Sequence, residues 1–526
     1  MRNTASVTDS QNIAVKKSAV ELVENNWLVT GVLFVVVIVS RYLFVSKILY
    51  HWDSVNFAMA IKEFDLSKGQ PHPPGYIGYV WLTRLVDAFF NNAQTTLVLI
   101  SVISSALAVV ALFFLGKAMF GRTTGLIASV FLAFSPLFWF YGEIALPHTL
   151  DALLVIVAVW WLYETMRGDL RYLYPAVIMS AVAGGVRPQT LVFLAPLILF
   201  AIKRVGWRKF FVAVILGALI CLAWFIPLMS WSGGVARYLE VTGDFSEQFQ
   251  RNTSLFLGAG WVGLRRNIIK LTLYTTYGWS LAVIPAVVYG AYRLYQRRWP
   301  RDWDSFLFLG LWMVPAILFY LLAHMGQQGL TFVYLPGLML ISAEGLRRLL
   351  PANYSSLVAG VAAITLVNLV IFTMMPEYPL NTQTVRLLTQ TTIANTDNYF
   401  QNRFDAIKRN FDPKTTVIVA ANWHHLQFYL PEYHVVPFDV GAKWEINENV
   451  PTAQQLVVSP QDISVATPAN DNLKIVIFDP DLAAFNRDAV QTRSMTLPDG
   501  TVLGYLDWPT NKNLEVTSQN FGLSAN

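Results

Sequence analysis

Asp53 sits a few residues past the first long apolar run, next to Trp52. A carboxylate in that setting has the type and the shielding of a general base toward an acceptor hydroxyl. The plainer reading is the cap of a following amphipathic helix. About twenty residues on comes His72-Pro73-Pro74-Gly75. Two prolines fix the backbone as an extended turn, which would hold the His72 ring in one place; the plainer reading is a structural turn with a surface histidine. Glu143 lies in a short loop, Phe140 to Pro147, where a second carboxylate could orient an acceptor or share a divalent cation with water. The alternative for Glu143 is a solvated loop charge. His148 and Asp151 stand three apart, on one face of the opening turn of a helix. Arg187 occupies the middle of Gly184-Gly185-Val186-Arg187-Pro188-Gln189, surrounded by apolar sequence. Its forked guanidinium suits a phosphate, with Gln189 beside it as a further substrate-binding candidate, or it forms a buried pair with Asp151.

The elements that must position these groups are membrane helices. Hydrophobic residues are 55% of the 526, charged residues 13%, and the mean hydropathy is +0.45; a soluble chain carries about a quarter charged residues. Apolar runs long enough to span fall near 27–47, 95–116, 123–141, 147–165, 172–186, 188–202, 210–231, 271–292, 304–324, 329–346 and 356–375, about eleven in all. The first run lacks a small-residue cleavage site and reads as a retained span. Segment 74–90 is apolar but holds Arg84 and Asp87, as an interfacial helix would.

Basic residues set the orientation. Lys16 and Lys17 precede the first span, and clusters at Lys117/Arg122, Arg167/Arg171, Lys203/Arg204/Arg208/Lys209, Arg293/Arg297/Arg298/Arg301 and Arg347/Arg348 follow every even-numbered one. By the positive-inside rule those ends, and the N-terminal tail 1–26, are cytoplasmic. Segment 172–202 is basic on both flanks, so it enters and leaves on one face as a hairpin with Arg187 at its apex. The expected membrane domain is 27–376, with outer loops 48–94 and 232–270. From 377 onward the composition is mixed. Short β-branched runs at 415–420, 434–438 and 474–478 predict an extracytoplasmic α/β domain over 377–526.

Other signals are weaker. Cys221 is the only cysteine and lies in an apolar run, so neither an intrachain disulfide nor a thiolate metal cluster is possible. Loop 232–270, with Arg265, Arg266 and Lys270, reads as a polar loop or a mobile cover. His324, before Gly326-Gln327-Gln328-Gly329, marks a tight outer turn that could touch a sugar. His424 and His425 are adjacent, which is poor spacing for chelation.

An acidic residue soon after the first span, then HPP, then an interfacial helix, resembles the protein O-mannosyltransferases and their bacterial relatives. These belong to the GT-C class of membrane glycosyltransferases. The resemblance runs from residue 27 to about 350 in topology. The chain departs from it with Asp53-Ser54 where those enzymes usually show Asp-Glu, and with Gly75 after HPP where they usually carry a larger residue. It implies a polytopic α-helical protein of the cytoplasmic (inner) membrane. The donor would be a polyprenyl-phosphate-linked sugar, and the acceptor a hydroxyl of a glycan, lipid or protein on the outer face. Asp53 would serve as base, Glu143 would place the acceptor or a divalent cation, and Arg187 would hold the lipid phosphate. His72, His148, Asp151 and Gln189 would line the site. Membrane lipids are expected partners, and nucleic acid is not. Two rival classes stay open: a transporter or lipid flippase, for which interrupted spans speak, and a non-enzymatic receptor or scaffold built around the tail.

Overall fold

The computed structural model describes residues 25–297, 302–350, 354–379, 386–438, 455–463 and 473–525. The charges expected at Lys16, Lys17, Arg298 and Arg301, and the tail before Asn25, lie outside them. Residue contacts divide the chain into two units. One takes the chain up to Val45, Val98–Ile226 and Ser246–Thr391; the other takes Ser46–Leu97, Pro227–Phe245 and Thr392–Asn526.

The first unit is helical. Among the described residues six helices are long and apolar enough to cross a membrane: Ala93–Phe120, His148–Met166, Trp207–Trp231, Gly260–Tyr295, Trp303–Leu322 and Tyr354–Met374. Shorter apolar helices are Asn26–Tyr42, Arg122–Ala133, Leu170–Val186 and Pro188–Ala201. The membrane-facing stripe shows in helix Trp207–Trp231, where Phe211, Ile215, Leu219 and Ile226 are each more than half exposed. Such a stripe at helical spacing suits lipid, not water. The expected span at 329–346 is a short 3-10 turn, Gln328–Val333, followed by helix Leu335–Leu349. The expected loop 232–270 holds helix Val235–Gln250 and the start of helix Gly260–Trp279. Strands β1 (Tyr378–Pro379) and β2 (Arg386–Leu387) form a small antiparallel pair.

Ion pairs join the loop ends that the basic clusters assign to one side. Arg167 reaches Asp302 at 3.5 Å, while Lys203 and Arg204 reach Asp304 at 3.2 and 3.0 Å. In a second group Arg122 donates to Asn26 at 3.0 Å, and Glu344 takes Thr124, Arg347 and Arg348. Each group draws on loops that the alternation of spans puts on the same side.

The second unit contains an α/β sheet. Strands β3 (Thr416–Ala420), β4 (His434–Pro437) and β6 (Lys474–Ile477) are parallel. Strands β7 (Arg493–Thr496) and β8 (Val502–Asp507) extend the sheet antiparallel, in the order β4-β3-β6-β8-β7. β5 (Gln455–Val458), β9 (Lys512–Thr517) and β10 (Phe521–Ala525) form a second sheet, ordered β10-β9-β5. Every residue of β3 is buried. Ile418 and Ala420 face Phe400, Phe404 and Ile407 of helix Gln390–Asn410, while Val417 and Val419 face the core shared with Leu514 and Val516 of β9. Covering both faces of a strand requires a continuous apolar run, and Thr-Val-Ile-Val-Ala is one.

Candidate functional site

In the second unit, helix Trp52–Lys62 begins one residue before Asp53, and its cap is His51. Asp53 is therefore not the cap, and its carboxylate sits in the first turn. The His51 Nδ1 lies 3.1 Å from the Asp53 backbone nitrogen and 3.3 Å from Asp53 Oδ2. The neutral ring accepts the N–H; the protonated ring can pair with the carboxylate instead. On the other side His72 Nδ1 is 3.4 Å from Asp53 Oδ1. The Asp53 side chain is 8% exposed, so it sits between two imidazoles largely out of water.

The HPP turn is built to hold that imidazole. The Gly75 amide closes the turn on the His72 carbonyl at 3.2 Å, and helix Ile77–Phe90 follows. Phe57 and Tyr76 pack edge-on or tilted against the His72 ring at 5.5 and 5.0 Å, and Phe245 stacks on it at 5.9 Å. Gly75 has φ +105, and a Cβ there would stand 2.6 Å from Leu228 Cδ1. A side chain at position 75 would therefore meet backbone strain as well as Leu228. In helix Ile77–Phe90 Arg84 Nη2 donates to the Ala60 carbonyl, and Asp87 accepts from Thr96.

In the first unit, Arg187 is a single extended residue between helices Leu173–Val186 and Pro188–Ala201. Pro188 forbids a helical conformation at Arg187 and suits the first position of the next helix, so the hairpin apex is written in two residues. Arg187 Nη1 is 3.5 Å from Asp151 Oδ2, and Thr190 Oγ1 donates to Asp151 Oδ1 at 2.8 Å. Gln189 Oε1 is buried without a hydrogen-bond partner among the described residues. His148 Nε2 meets Gln327 Oε1 at 2.8 Å, its ring edge-on to Tyr141 at 5.0 Å. A Cβ on Gly329 would collide with that ring.

More cations gather there than the sequence suggested. Burial, with the charges of Arg266, Lys270 and Arg187 acting the same way, holds the His324 imidazole down at about 4. Those three bear on one point, beside a histidine whose Nδ1 is 3.0 Å from Thr253 Oγ1. Arg266 and Lys270 were legible as a pair four apart on one helix face, had 232–270 not been read as loop. His51 was missed because histidine is not among the common cap residues.

Glu143 is enclosed, not solvated. It is fully buried, and its Oε1 accepts from Trp139 Nε1 at 2.6 Å. The Arg41 guanidinium lies over the same Trp139 ring, 4.9 Å from its centroid. Arg41 is itself fully buried and acts electrostatically on Glu143. Among the described residues no hydrogen bond or ion pair joins Glu143 to Asp151 or Arg187. No group of three or more His, Cys, Asp or Glu side chains there is placed to hold a metal ion, and no step of the chemistry is assigned to one.

Residues 71–231 match the dolichyl-phosphate-mannose-protein mannosyltransferase family. That stretch includes His72, Glu143, His148, Asp151, Arg187 and Gln189. The fold is similar to that of ArnT from Cupriavidus metallidurans bound to undecaprenyl phosphate: TM-score 0.57 at 12% identity, over 91% of this chain and 97% of that one. The apo form of ArnT gives 0.55 at 12%, over 90% and 97%. No curated protein sequence matches the chain. Over residues 71–231 the family match favours the transferase reading over a transporter or a scaffold, and across most of the chain the fold is similar to that of ArnT.

Proposed function

We propose that the chain moves a sugar from a polyprenyl-phosphate carrier to an acceptor hydroxyl on the outer face of the membrane, with Asp53 as the base. The observation that carries this reading is the Asp53 carboxylate, 8% exposed, within 3.4 Å of imidazole nitrogens on both sides. A carboxylate so placed can take a proton while the imidazoles limit how far it turns. In the reaction the acceptor oxygen forms a bond to the anomeric carbon and its proton passes to Asp53. The bond from that carbon to the phosphate oxygen breaks, and the phosphate leaves with the electron pair.

A phosphate monoester is a weak base near neutral pH, so the leaving group needs charge more than a proton. Arg187, with Arg266 and Lys270 acting on the same neighbourhood, is the group to supply it. That a solved relative in fold was captured with undecaprenyl phosphate supports a lipid phosphate as the ligand. Glu143, enclosed with Arg41, is assigned a structural role as counter-charge. Transfer of labelled sugar from polyprenyl-phosphate donors by purified protein tests the reading. Asp53→Asn is expected to lower the rate by at least about a hundredfold with the melting temperature unchanged. A variant that turns over at the wild-type rate removes Asp53 as the base.

A further inference from the structure

We infer that the C-terminal part of the chain sets the position of the proposed base: Asp397, Tyr429 and His425 are positioning residues that act on Asp53 through the strap Ser46–Leu49. The inference rests on Asp53 being the base. The strap has no regular secondary structure, so its backbone groups need partners from elsewhere. Most of them come from 349 to 380 residues away in sequence. Asp397 Oδ2 accepts the Lys47 N–H at 2.9 Å, and Asp397 Oδ1 accepts the Ile48 N–H at 2.9 Å and the Ser46 hydroxyl at 3.2 Å. The Tyr429 hydroxyl accepts the Leu49 N–H at 2.9 Å. His425 Nε2 donates to the Leu49 carbonyl at 2.8 Å. From the outer segment itself, Gln94 donates to the Ser46 carbonyl at 2.6 Å.

These partners cannot drift. His425 is 2% exposed and stacks on Phe400 with centroids 4.1 Å apart. Its bond to a carbonyl fixes the proton on Nε2. Ile48 belongs to the same core cluster as Phe400, Phe404 and Leu426. Two residues past the strap, His51 caps the helix that carries Asp53. The adjacent histidines therefore have separate tasks: His425 holds the strap, while His424 stacks on Trp423 at 3.5 Å and meets the Trp52 ring edge-on at 5.6 Å. A base displaced by 1 Å loses on the order of a hundredfold in rate, so a clamp four residues upstream of Asp53 governs turnover without touching substrate.

The test uses full-length purified protein and three readouts: transfer kinetics, native mass spectrometry of bound polyprenyl phosphate, and amide exchange of residues 46–52. Asp397→Ala and Tyr429→Phe are expected to speed exchange of the Lys47, Ile48 and Leu49 amides. They should lower kcat about 10- to 100-fold while leaving donor KM and lipid retention within about twofold. Asp397→Asn, which keeps an acceptor oxygen, should recover part of the rate. Faster exchange with wild-type kcat overturns the inference, because the clamp would then be structural only. So does a loss of kcat that merely follows the folded fraction. Should Asp397→Ala not fold, Tyr429→Phe removes one hydroxyl and decides alone. An Asp53→Asn protein at full activity removes the base itself; a dead Asp53→Asn beside fully active Asp397→Ala and Tyr429→Phe removes only the clamp.

Discussion

Arg187 Nη1 stands 3.5 Å from Asp151 Oδ2, and both side chains are more than nine-tenths buried. The hairpin apex thus holds a paired cation, with Thr190 taking the other carboxylate oxygen. Removing Asp151 leaves the guanidinium buried without its counter-charge, which costs about 3–5 kcal/mol in comparable cases. Asp151→Ala is therefore expected to lower the melting temperature clearly. Arg187→Lys keeps the charge but loses the fork, so it should keep most of the stability and bind polyprenyl phosphate at least about tenfold more weakly. Melting curves and titrated native mass spectra separate the two effects. Equal lipid binding by wild type and Arg187→Ala would assign Arg187 to structure alone.

Gly75 is constrained by backbone as well as by space. At φ +105 an L-residue carries strain of about 1–2 kcal/mol, whatever surrounds it. The contact with Leu228 Cδ1 is with the end of a side chain that can shift. Gly75→Ala is expected to destabilise by that amount and to slow transfer, since the turn also aims His72 at Asp53. Adding Leu228→Val should relieve the contact but not the strain, so the double variant should stay impaired. Full recovery in the double variant would show that the clash, and not the torsion, is what excludes side chains here.

What could be read before the fold was known follows from which interactions are local. The helix–Arg187–helix apex was legible because Pro188 and the flanking glycines act on their own neighbours. Strands β3 and β6 were legible because strands buried on both faces need continuous apolar runs, and β4, at the sheet edge with His434 exposed, from its β-branched Val435-Val436 pair. Strands β5 and β7 to β10 were not, since β8 mixes Gly504 and Tyr505 with its apolar positions and β9 alternates polar with apolar. The strap clamp could not be read at all: Asp397 and Tyr429 look like any surface polar residues until a segment about 350 positions away lies against them.

Glu143 was expected as an outward carboxylate and lies instead buried at the Nε1 edge of Trp139, near the Arg41 charge. A carboxylate with no exposure cannot meet an acceptor without the loop moving. Glu143→Gln keeps the bond from Trp139 Nε1 but removes the charge that balances Arg41. Loss of stability of about 3 kcal/mol or more is expected, with transfer by the surviving folded protein near the wild-type rate. Adding Arg41→Met, which removes the cation as well, should recover part of the loss, since an apolar pair of similar size is often tolerated. A stable Glu143→Gln protein with transfer abolished would return Glu143 to the reaction.

Three histidines make stability depend on pH. Burial pushes His324 and His424 down to about 4, against the nearby Asp53 charge in the case of His424, and pushes His425 down to about 3. In the unfolded chain each titrates near 6.5. Between about 6.5 and 4 the unfolded state therefore binds protons that the folded state refuses, and stability falls as pH falls through that window. Above about 6.5 these groups contribute no slope. Each adds at most about 1.4 kcal/mol per pH unit. Melting temperatures taken in detergent at pH 7.5, 6.5, 5.5 and 4.5 should hold at the top of the range and drop below about 6.5. His425→Gln keeps an amide donor for the Leu49 carbonyl and does not titrate, so its profile should be shallower than the wild-type one by one proton. Parallel wild-type and His425→Gln profiles would mean that the imidazole takes a proton in the folded state, which the carbonyl bond on Nε2 and the enclosed Nδ1 do not accommodate.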